Sequence, residues 1–279
     1  MNIRQLLELA MHQLTLSDSA RLDAEILLGH ALEVGRSFIY ANPGLVVPLK
    51  RRNEFLRLVH QRSEGMPIAY LTGRRSFWSL DLLVTPAVLI PRPETELLVE
   101  SALELIPTDR PLRIADLGTG SGAIALAIAR ERPVCEVHAT DYSLDALRVA
   151  QENALRLGLT QVHFHHGSWA DPLKGEFDMV ISNPPYVAQD DPHLQQGDCS
   201  FEPRLALSPG ADELSALRQV AAAASAVLSG GGWLLLEHGH EQGEAVREIL
   251  KQAAYQDITT VHDLAGLERV SRGMKKEPG

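Results

Sequence analysis

From Pro93 to Lys275 the sequence alternates short apolar runs with amphipathic segments, and this alternation constrains the fold more than any other feature. The strand-like runs lie near residues 112–117, 134–140, 161–166, 177–182, 232–237 and 256–262. The segments with helical spacing lie between them, near residues 121–131, 143–157, 211–229 and 241–253. Such an alternation predicts an α/β fold, in which helices cover both faces of a mainly parallel sheet. The final stretch, residues 267–275, is predicted to add an antiparallel strand at the sheet edge.

The first 75 residues carry a helical pattern without strands. Apolar residues recur at helical spacing in three segments, which are residues 3–14, a segment from Ser17 or Ser19 to about Gly35, and residues 49–65. These segments predict a small all-α bundle. Phe77, Trp78 and residues 82–84 then predict a short β-hairpin, followed by a proline-rich connector.

Charge is distributed unevenly along the 279 residues, whose formal net charge is −10. Residues 1–75 contain 10 Lys and Arg against 7 Asp and Glu, a balance of +3, whereas residues 76–279 contain 16 against 29, a balance of −13. The asymmetry indicates two units with different surfaces. The acidic larger part disfavours binding to a nucleic-acid backbone, which selects Lys and Arg.

The two cysteines and the N-terminal sequence favour a reducing, cytoplasmic environment. Cys135 and Cys199 are far apart and form neither a disulfide framework nor a zinc motif, which fits a reducing environment. Arg4 and Glu8 interrupt the N-terminal apolar pattern, unlike a secretory signal. No run approaches the ~18 apolar residues of a membrane helix. We therefore expect a soluble, cytoplasmic protein with no membrane partner.

A glycine-rich loop follows the first strand of the alternating region. The strand runs directly into Gly118, Thr119, Gly120, Ser121 and Gly122, and a helical segment comes next. Ligands of open α/β sheets bind beyond the carboxyl ends of the strands, where glycines let the backbone come close. By itself, the loop is equally compatible with a tight strand-to-helix turn.

An acidic residue, Asp141, ends the second strand, 23 residues after Gly118. A carboxylate at this place can accept hydrogen bonds from both ribose hydroxyls of a nucleoside, or it can cap the next helix. The spacing G-x-G-x-G differs from the dinucleotide pattern G-x-G-x-x-G, and Asp116 would repel a phosphate. The pattern favours a nucleoside ligand that lacks phosphates.

Trp169 and three histidines follow or form the third strand. Trp169 could stack on an adenine or anchor the core. His163, His165 and His166 could suggest a metal, but no carboxylate or cysteine lies at ligand spacing, so we expect a solvated strand end and no metal site.

The fourth strand ends in Asn183-Pro184-Pro185-Tyr186. Two consecutive prolines fix their own φ angles and push the preceding residues into extended conformations, so this loop is stiff. An ordinary proline-rich turn is the alternative interpretation.

Taken together, these motifs resemble class I S-adenosylmethionine-dependent methyltransferases, and Asn-Pro-Pro-Tyr narrows the likeness to enzymes that methylate planar nitrogens. Further segments resemble the release factor glutamine methyltransferases: LIPRPETELLVE (89–100), DLGTGSGAIALAIA (116–129), SNPPYV (182–187), QDDPHLQQGD (189–198), FEPRLAL (201–207) and LLLEHG (234–239). The likeness covers nearly the whole chain.

The resemblance implies a seven-stranded Rossmann-like methyltransferase sheet, preceded by the all-α bundle and the hairpin. Its domains would be 1–75 for substrate docking, 76–92 as a connector and 93–279 for methyl transfer. S-adenosylmethionine would be the cofactor, and a monomeric enzyme would methylate the glutamine of the Gly-Gly-Gln tripeptide in class I peptide-chain release factors, without binding nucleic acid directly.

The resemblance also assigns roles to residues. Cofactor contacts are expected from Gly118, Thr119, Gly120, Ser121, Gly122, Asp141, Trp169 and Asn183. Contacts with the substrate glutamine are expected from Asn183, Pro184, Pro185 and Tyr186, of which Asn183, Pro184 and Tyr186 would be catalytic. No metal is implied.

Several nearby residues leave alternatives open. Arg92 and Glu94 could shape the entrance of the site or pair with each other, and Glu202 with Arg204 could fold a lid. Glu237 ends the fifth strand and is expected to support the site without taking part directly. A basic helix face could be solvated or could dock an acidic partner; it comprises Arg51, Arg52, Arg57 and Arg62.

Three rival functions remain at this point. A ribosomal-protein glutamine could be the substrate, or an exocyclic amine of adenine or cytosine, for which the same geometry would serve a flipped base. The −13 balance speaks against a duplex nucleic acid. A binding module without chemistry should show a damaged motif, and both motifs are intact.

Overall fold

The computed structural model describes residues 1–15 and 17–277. It divides the chain into two compact units, which we call the helical unit (residues 1–74 and 195–201) and the sheet unit (residues 75–194 and from 202 onward). The predicted domain ranges 1–75, 76–92 and 93–279 stay predictions, and Leu16, Pro278 and Gly279 lie outside the described residues. In the described part of the chain, every helix is too short or too polar to span a bilayer.

The helical unit is an α-helical bundle around its own core. Its α-helices span Ile3–Gln13 (α1), Ala20–Leu32 (α2), Arg36–Ala41 (α3), Leu49–Ser63 (α4) and Ile68–Thr72 (α5). The first helix begins where Asn2 and Gln5 form a reciprocal capping box. Leu6 of α1, Leu27 of α2 and Phe55 of α4 lie fully buried in one cluster, because each helix carries its apolar residues at helical spacing on one face.

The Arg62 side chain of α4 pairs with acidic residues inside the helical unit. Its Nε atom donates to the buried Asp23 carboxylate at 2.8 Å, and its Nη1 atom lies 3.6 Å from Asp198 in the 195–201 segment. The predicted basic face of α4 therefore does not include Arg62. Arg51 of the same helix pairs with Glu33 at 2.7 Å.

The sheet unit contains the hairpin and the alternating elements. Its strands span Arg74–Phe77 (β1), Leu80–Leu83 (β2), Arg113–Leu117 (β3), Glu136–Asp141 (β4), Val162–His166 (β5), Phe177–Ser182 (β6), Leu228–Glu237 (β7), Tyr255–His262 (β8) and Glu268–Lys275 (β9). Its α-helices span Glu96–Leu105 (α6), Ala123–Glu131 (α7), Leu144–Leu157 (α8), Arg204–Leu207 (α9), Ser215–Val227 (α10) and Gly243–Gln252 (α11).

Seven strands form one mixed sheet in the order β5-β4-β3-β6-β7-β9-β8. The pairs from β5 to β7 are parallel, whereas β9 pairs antiparallel with both β7 and β8. One face packs on α6, α7 and the hairpin, and the other packs on α10 and α11, in two separate hydrophobic cores. The predicted α/β fold with helices on both faces is confirmed.

Two details of the predicted layout were wrong. The last strand, β9, is inserted between β7 and β8, so β8 forms the edge. In this position β9 pairs with Trp233–Glu237 of β7 on one side and with β8 on the other. The backbone N–H and C=O groups on both edges of β9 therefore have partners. The helix expected over 211–229 is shorter and spans Ser215–Val227. Leu228 already pairs with Phe177 in the sheet, and the glycines that follow lie in a β-bulge.

The strand order reverses between β3 and β6. Chain connections from β3 lead outward to β4 and β5, whereas those from β6 lead to β7 on the other side. The carboxyl ends of β3 and β6 lie side by side, and the Ser182 hydroxyl donates to the Leu117 carbonyl at 2.6 Å. The glycine loop and the Asn-Pro-Pro-Tyr motif therefore leave the sheet together at its switch point.

Candidate active site

The glycine loop turns sharply between β3 and α7. Gly118, Gly120 and Gly122 have φ angles of +79°, +57° and +85°, a region that favours glycine. A Cβ atom at Gly122 would lie 3.0 Å from Leu126 Cδ1, so this glycine also permits close packing of the helix. The first two glycines expose bare backbone on the sheet edge.

The buried Asp116 carboxylate holds the glycine loop by hydrogen bonds. Its carboxylate is 1% exposed and accepts hydrogen bonds from the Thr119 hydroxyl at 2.6 Å and from the Ala125 N–H at 3.2 Å. Burial raises the pKa of Asp116 to about 7, against the lowering effect of these two donors. Thr119 therefore directs its side chain into the fold.

Asp141 ends β4 and holds the glycine loop from the side. Its Oδ2 atom accepts from the Gly120 N–H at 2.9 Å, and its Oδ1 atom accepts from the Ser143 N–H at 2.8 Å. Burial raises the pKa of this carboxyl above its usual value. The N-cap of α8 is Ser143, whose hydroxyl accepts from Ala146, so the capping role considered for Asp141 belongs to Ser143.

Trp169 anchors the core, one of the two roles that the sequence left open, and its stacking on an adenine stays a prediction. Its indole Nε1 donates to Gln219 Oε1 at 2.9 Å, and the partly buried side chain packs against the hydrophobic core to which α10 contributes. A Cβ atom at Gly118 would lie 3.5 Å from the ring, which shows how closely the indole approaches the glycine loop.

A cavity of about 360 Å³ opens at this edge of the sheet. The predicted site residues on its wall are Gly118, Gly120, Asp141, Trp169, Asn183, Pro184 and Pro185. Thr119, Ser121, Gly122 and Tyr186 are not on the wall, and their predicted roles stay predictions. The remaining wall comes mostly from residues 87–89, 142–146 and 203–206.

Asn183 has a fixed side chain. Its Nδ2 atom donates to the Thr95 hydroxyl at 3.1 Å. None of the described residues donates a hydrogen bond to its Oδ1 atom or to the Pro184 carbonyl, and both residues line the cavity. Sequence reasoning missed Thr95, which lies 88 residues before Asn183.

Tyr186 packs beneath the motif. Its hydroxyl donates to Glu237 Oε1 at 3.2 Å, and its carbonyl accepts from Gln242 Nε2 at 3.0 Å. Burial is the main cause that raises the pKa of the Tyr186 phenol above its usual value. Burial also raises the pKa of Glu237 to about 7.

Glu202 joins the two outer wall segments of the cavity. Its carboxylate accepts from the Ile90 N–H at 3.0 Å and forms an ion pair with Arg92. Arg92 therefore pairs with Glu202, and the alternative pairing with Glu94 was wrong. The segments 87–89 and 203–206, which flank these residues, are held over the cavity by this buried contact.

The histidines of β4 and β5 contact each other. His138 Nδ1 lies 2.9 Å from His165 Nε2, and the two rings stack. Burial lowers the pKa of both rings. In the described part of the chain, no group of three or more His, Cys, Asp or Glu residues is arranged to hold a metal ion.

Known families match both units. The family described as the methyltransferase small domain matches residues 94–198, and the PrmC N-terminal domain matches residues 5–73. A 16S rRNA methyltransferase of T. thermophilus, solved in complex with AdoMet and guanosine, has a TM-score of 0.54 at 19% identity, covering 73% of this chain and 50% of its own. This likeness shows the fold alone.

Curated relatives match nearly the whole chain. The release factor glutamine methyltransferase of Xylella fastidiosa (strain Temecula1) is 52% identical over 254 residues, which are 91% of this chain and 92% of that protein. The protein of the same name from Escherichia coli (strain K12) is 48% identical over 265 residues, 95% of each chain. The chain therefore belongs to the release factor glutamine methyltransferase family.

Proposed function

We propose that this protein transfers a methyl group from S-adenosylmethionine to the side-chain amide nitrogen of a glutamine, the one in the Gly-Gly-Gln tripeptide of peptide-chain release factors. Two relatives named release factor glutamine methyltransferase are 52% and 48% identical over more than nine tenths of the chain, which supports a glutamine of a release factor as the target. The observation that carries the proposal is a pair of available acceptors, Asn183 Oδ1 and the Pro184 carbonyl, on the wall of a nucleoside-sized cavity.

The cavity fits the methyl donor. At about 360 Å³ it lies within the ~300–1,000 Å³ of small-molecule sites. Asp141 supplies a carboxylate for ribose hydroxyls, the backbone of Gly118 and Gly120 admits close approach, and Trp169 offers a flat ring. Bound there, S-adenosylmethionine supplies an electrophilic methyl on a sulfonium, which carries the hard chemistry.

The chain's own residues prepare the nucleophile. A glutamine amide nitrogen is a poor nucleophile because its lone pair is delocalised into the carbonyl. Its two N–H groups are donors, so Asn183 Oδ1 and the Pro184 carbonyl can accept one each and hold the nitrogen in place. The same two oxygens stabilise the positive charge that develops on the nitrogen as it attacks the methyl carbon.

A rigid Asn-Pro-Pro-Tyr motif helps to align the reacting atoms. Nitrogen, methyl carbon and sulfur must lie in line at near-attack distance, and small errors of placement cost rate. Two prolines stiffen the loop, Thr95 fixes the Asn183 side chain, and Gln242 and Glu237 hold Tyr186. As the new N–C bond forms, the C–S bond breaks, and the nitrogen then loses one proton to solvent, so no general base is required.

The substrate is a polypeptide, and the sheet unit has room for one beside the cofactor cavity. A second cavity of about 590 Å³ shares Trp169, Pro185 and Leu205 with the first one. Leu205 is 80% exposed between them. We assign this second cavity to the chain that flanks the glutamine.

We assign the docking of the factor to the helical unit. Residues 1–75, nearly all of which belong to this unit, have a charge balance of +3, whereas residues 76–279 have a balance of −13. It also exposes apolar side chains, among them Phe38, Tyr40 and Val46, which are 40%, 52% and 70% exposed. A basic and partly apolar surface suits an acidic protein partner.

The test is label transfer. The protein is incubated with radiolabelled S-adenosylmethionine and an unmodified recombinant release factor, beside a copy whose tripeptide glutamine is changed to alanine. We expect label on the first factor only. Label on both factors places the target elsewhere on the factor, and label on neither, with cofactor binding intact, redirects the search to ribosomal proteins and nucleic acids.

A further inference from the structure

A line of three polar side chains runs beneath the Asn-Pro-Pro-Tyr motif. Asn183 Nδ2 donates to the Thr95 hydroxyl at 3.1 Å. Thr95 in turn interacts with the carboxylate of Glu237 at the end of β7, where it lowers the pKa of that group. Thr95 and Glu237 are 5% and 2% exposed, so the line is screened from solvent.

The chemistry of the three groups determines which of them donates and which accepts each hydrogen bond. An ionised carboxylate only accepts hydrogen bonds, so the single Thr95 proton must point to Glu237. The Thr95 oxygen is then left as an acceptor and can receive only the NH₂ side of the Asn183 amide. The Oδ1 atom of Asn183 consequently faces away from Thr95.

The orientation of this amide decides whether the substrate nitrogen can be held. With Oδ1 presented, the amide accepts an N–H of the substrate glutamine. If the amide were flipped, its NH₂ group would face the substrate NH₂ group, and two donors would meet. An isolated asparagine has no strong preference between these orientations.

We propose that Thr95 and Glu237 are positioning residues for methyl transfer, which together lock the Asn183 side chain with its Oδ1 atom toward the substrate amide. The inference rests on the proposed function, because it concerns how that substrate is held. Neither residue touches the cofactor cavity wall, so both act through Asn183.

Glu237 is held by groups from several elements. Thr95 and Glu94 face it from the turn before α6, Tyr186 from the motif, and Arg269 from β9. Its Oε1 atom accepts from the Tyr186 hydroxyl at 3.2 Å, and its Oε2 atom has no hydrogen-bond partner among the described residues. Arg269 is itself paired with Asp263 at 3.0 Å, and burial is the largest influence on the pKa of the Glu237 carboxyl.

Protonation of Glu237 would release the lock. A neutral carboxyl can donate to Thr95, which then can donate to Asn183 Oδ1 and allow the flipped amide. Since burial raises the pKa of Glu237 to about 7, the ionised and locking form gains population as pH rises through about 7. The rate of methyl transfer should rise over the same window.

The experiment compares variants in the release-factor assay, with kcat, KM and the Kd for the cofactor product measured on each. Thr95→Val keeps the shape and removes the hydroxyl, and we expect kcat to fall about tenfold, the size of one lost hydrogen bond. Thr95→Ser keeps the hydroxyl and should retain at least about half of the wild-type kcat. KM and cofactor Kd should stay close to wild type in both.

Thr140→Val is the matched control. Thr140 is a fully buried strand residue whose hydroxyl has no hydrogen-bond partner among the described residues. Its replacement removes a hydroxyl from the same unit without touching the line. We expect wild-type kcat in this variant.

The pH profile provides the second readout. Wild-type kcat should rise through about pH 7, whereas Glu237→Gln should be low and flat, because its amide can donate to Thr95 at any pH. A Thr95→Val enzyme with wild-type kcat, or a wild-type profile that is flat between pH 6 and 8, overturns the inference. If Glu237→Gln fails to fold, Thr95→Val and the wild-type profile decide.

The outcome separates this inference from the proposed function. Wild-type protein that labels no release factor refutes the proposed function itself. Wild-type protein that labels the factor, with Thr95→Val equally active, refutes only the positioning role.

Discussion

The Asp141 carboxylate accepts a hydrogen bond from the backbone N–H of Gly120, at 2.9 Å. This bond joins the end of β4 to the loop after β3, and a second bond from Ser143 fixes the other carboxylate oxygen. The two strand ends are therefore held together by the protein alone. The edge of the sheet is prepared for a ligand before one binds.

Replacement of Asp141 should weaken cofactor binding. In Asp141→Ala the loop loses its lateral support and the cavity loses the acceptor for ribose hydroxyls, so we expect the Kd for S-adenosylmethionine to rise at least about tenfold. Isothermal titration calorimetry measures it. Asp145→Ala, an exposed carboxylate on the neighbouring α8, is the control and should bind as wild type does. Equal Kd values for Asp141→Ala and wild type would remove Asp141 from the site.

Gly122 should tolerate no side chain. A Cβ atom there would lie 3.0 Å from Leu126 and 3.2 Å from Ala150, in addition to the strain of a φ of +85°. Gly158 has a similar φ of +70° but open space around it, so Gly158→Ala reports the backbone strain alone. We expect Gly158→Ala to lower the unfolding free energy by about 1–2 kcal/mol.

The Gly122→Ala variant should lose about 1–3 kcal/mol more than its control, because the helix must shift to make room. Urea denaturation of both variants measures the difference. If the two variants are equally stable, the close packing of α7 on the loop is not what requires this glycine.

The stability of the fold should depend on pH through Asp116. Burial raises its pKa in the folded state to about 7, from 3.8 for an unperturbed group. The folded state therefore binds this proton more tightly than the unfolded state does. Its contribution to stability is complete below about pH 4 and is lost as pH rises through about 7.

Asp116→Asn removes that titration. Relative to wild type, the variant should gain stability as pH rises from 5 to 8, whatever its fixed cost from the changed hydrogen bonds to Thr119 and Ala125. Urea denaturation without cofactor at both pH values measures the change. A difference in stability between Asp116→Asn and wild type that is constant with pH would contradict the assignment of this titration to Asp116.

Asn183 should be needed for transfer but not for cofactor binding. Asn183→Ala removes one of two acceptors for the substrate amide, and we expect single-turnover rates to fall about 100-fold or more, as for other preorganised groups at reacting centres. The Kd for the cofactor should change less than about threefold, because Asp141 and the glycine loop remain in place. Transfer at the wild-type rate would show that the nitrogen is held by other groups.

The sequence predicted the parts of the site that follow from strand ends. Gly118, Asp141 and Asn183 each directly follow or end an apolar run, and parallel strands bring such positions to one edge. The β/α alternation and the separate helical region were equally readable, since both rest on local periodicity. These features come together in the structure at the switch point between β3 and β6.

Contacts between distant segments could not be predicted in this way. Thr95 and Asn183 are 88 residues apart, and Ile90 and Glu202 are 112 apart, with no period that links them. The order of β8 and β9 was missed for a similar reason, because hydrophobic alternation marks a strand without naming its neighbours. The end of α10 was missed because Leu228 is apolar and fits either a helix or a buried strand.

Methylation of a single glutamine amide changes the mass of the substrate peptide, so mass spectrometry of that peptide tests the proposed function. An unmodified release factor is incubated with the wild-type protein and S-adenosylmethionine, digested, and the peptide that contains Gly-Gly-Gln is fragmented. We predict the added mass of one methyl group on the glutamine side chain, absent when Asn183→Ala replaces the wild-type protein. An unmodified glutamine, with the cofactor bound and the wild-type protein folded, would contradict the account.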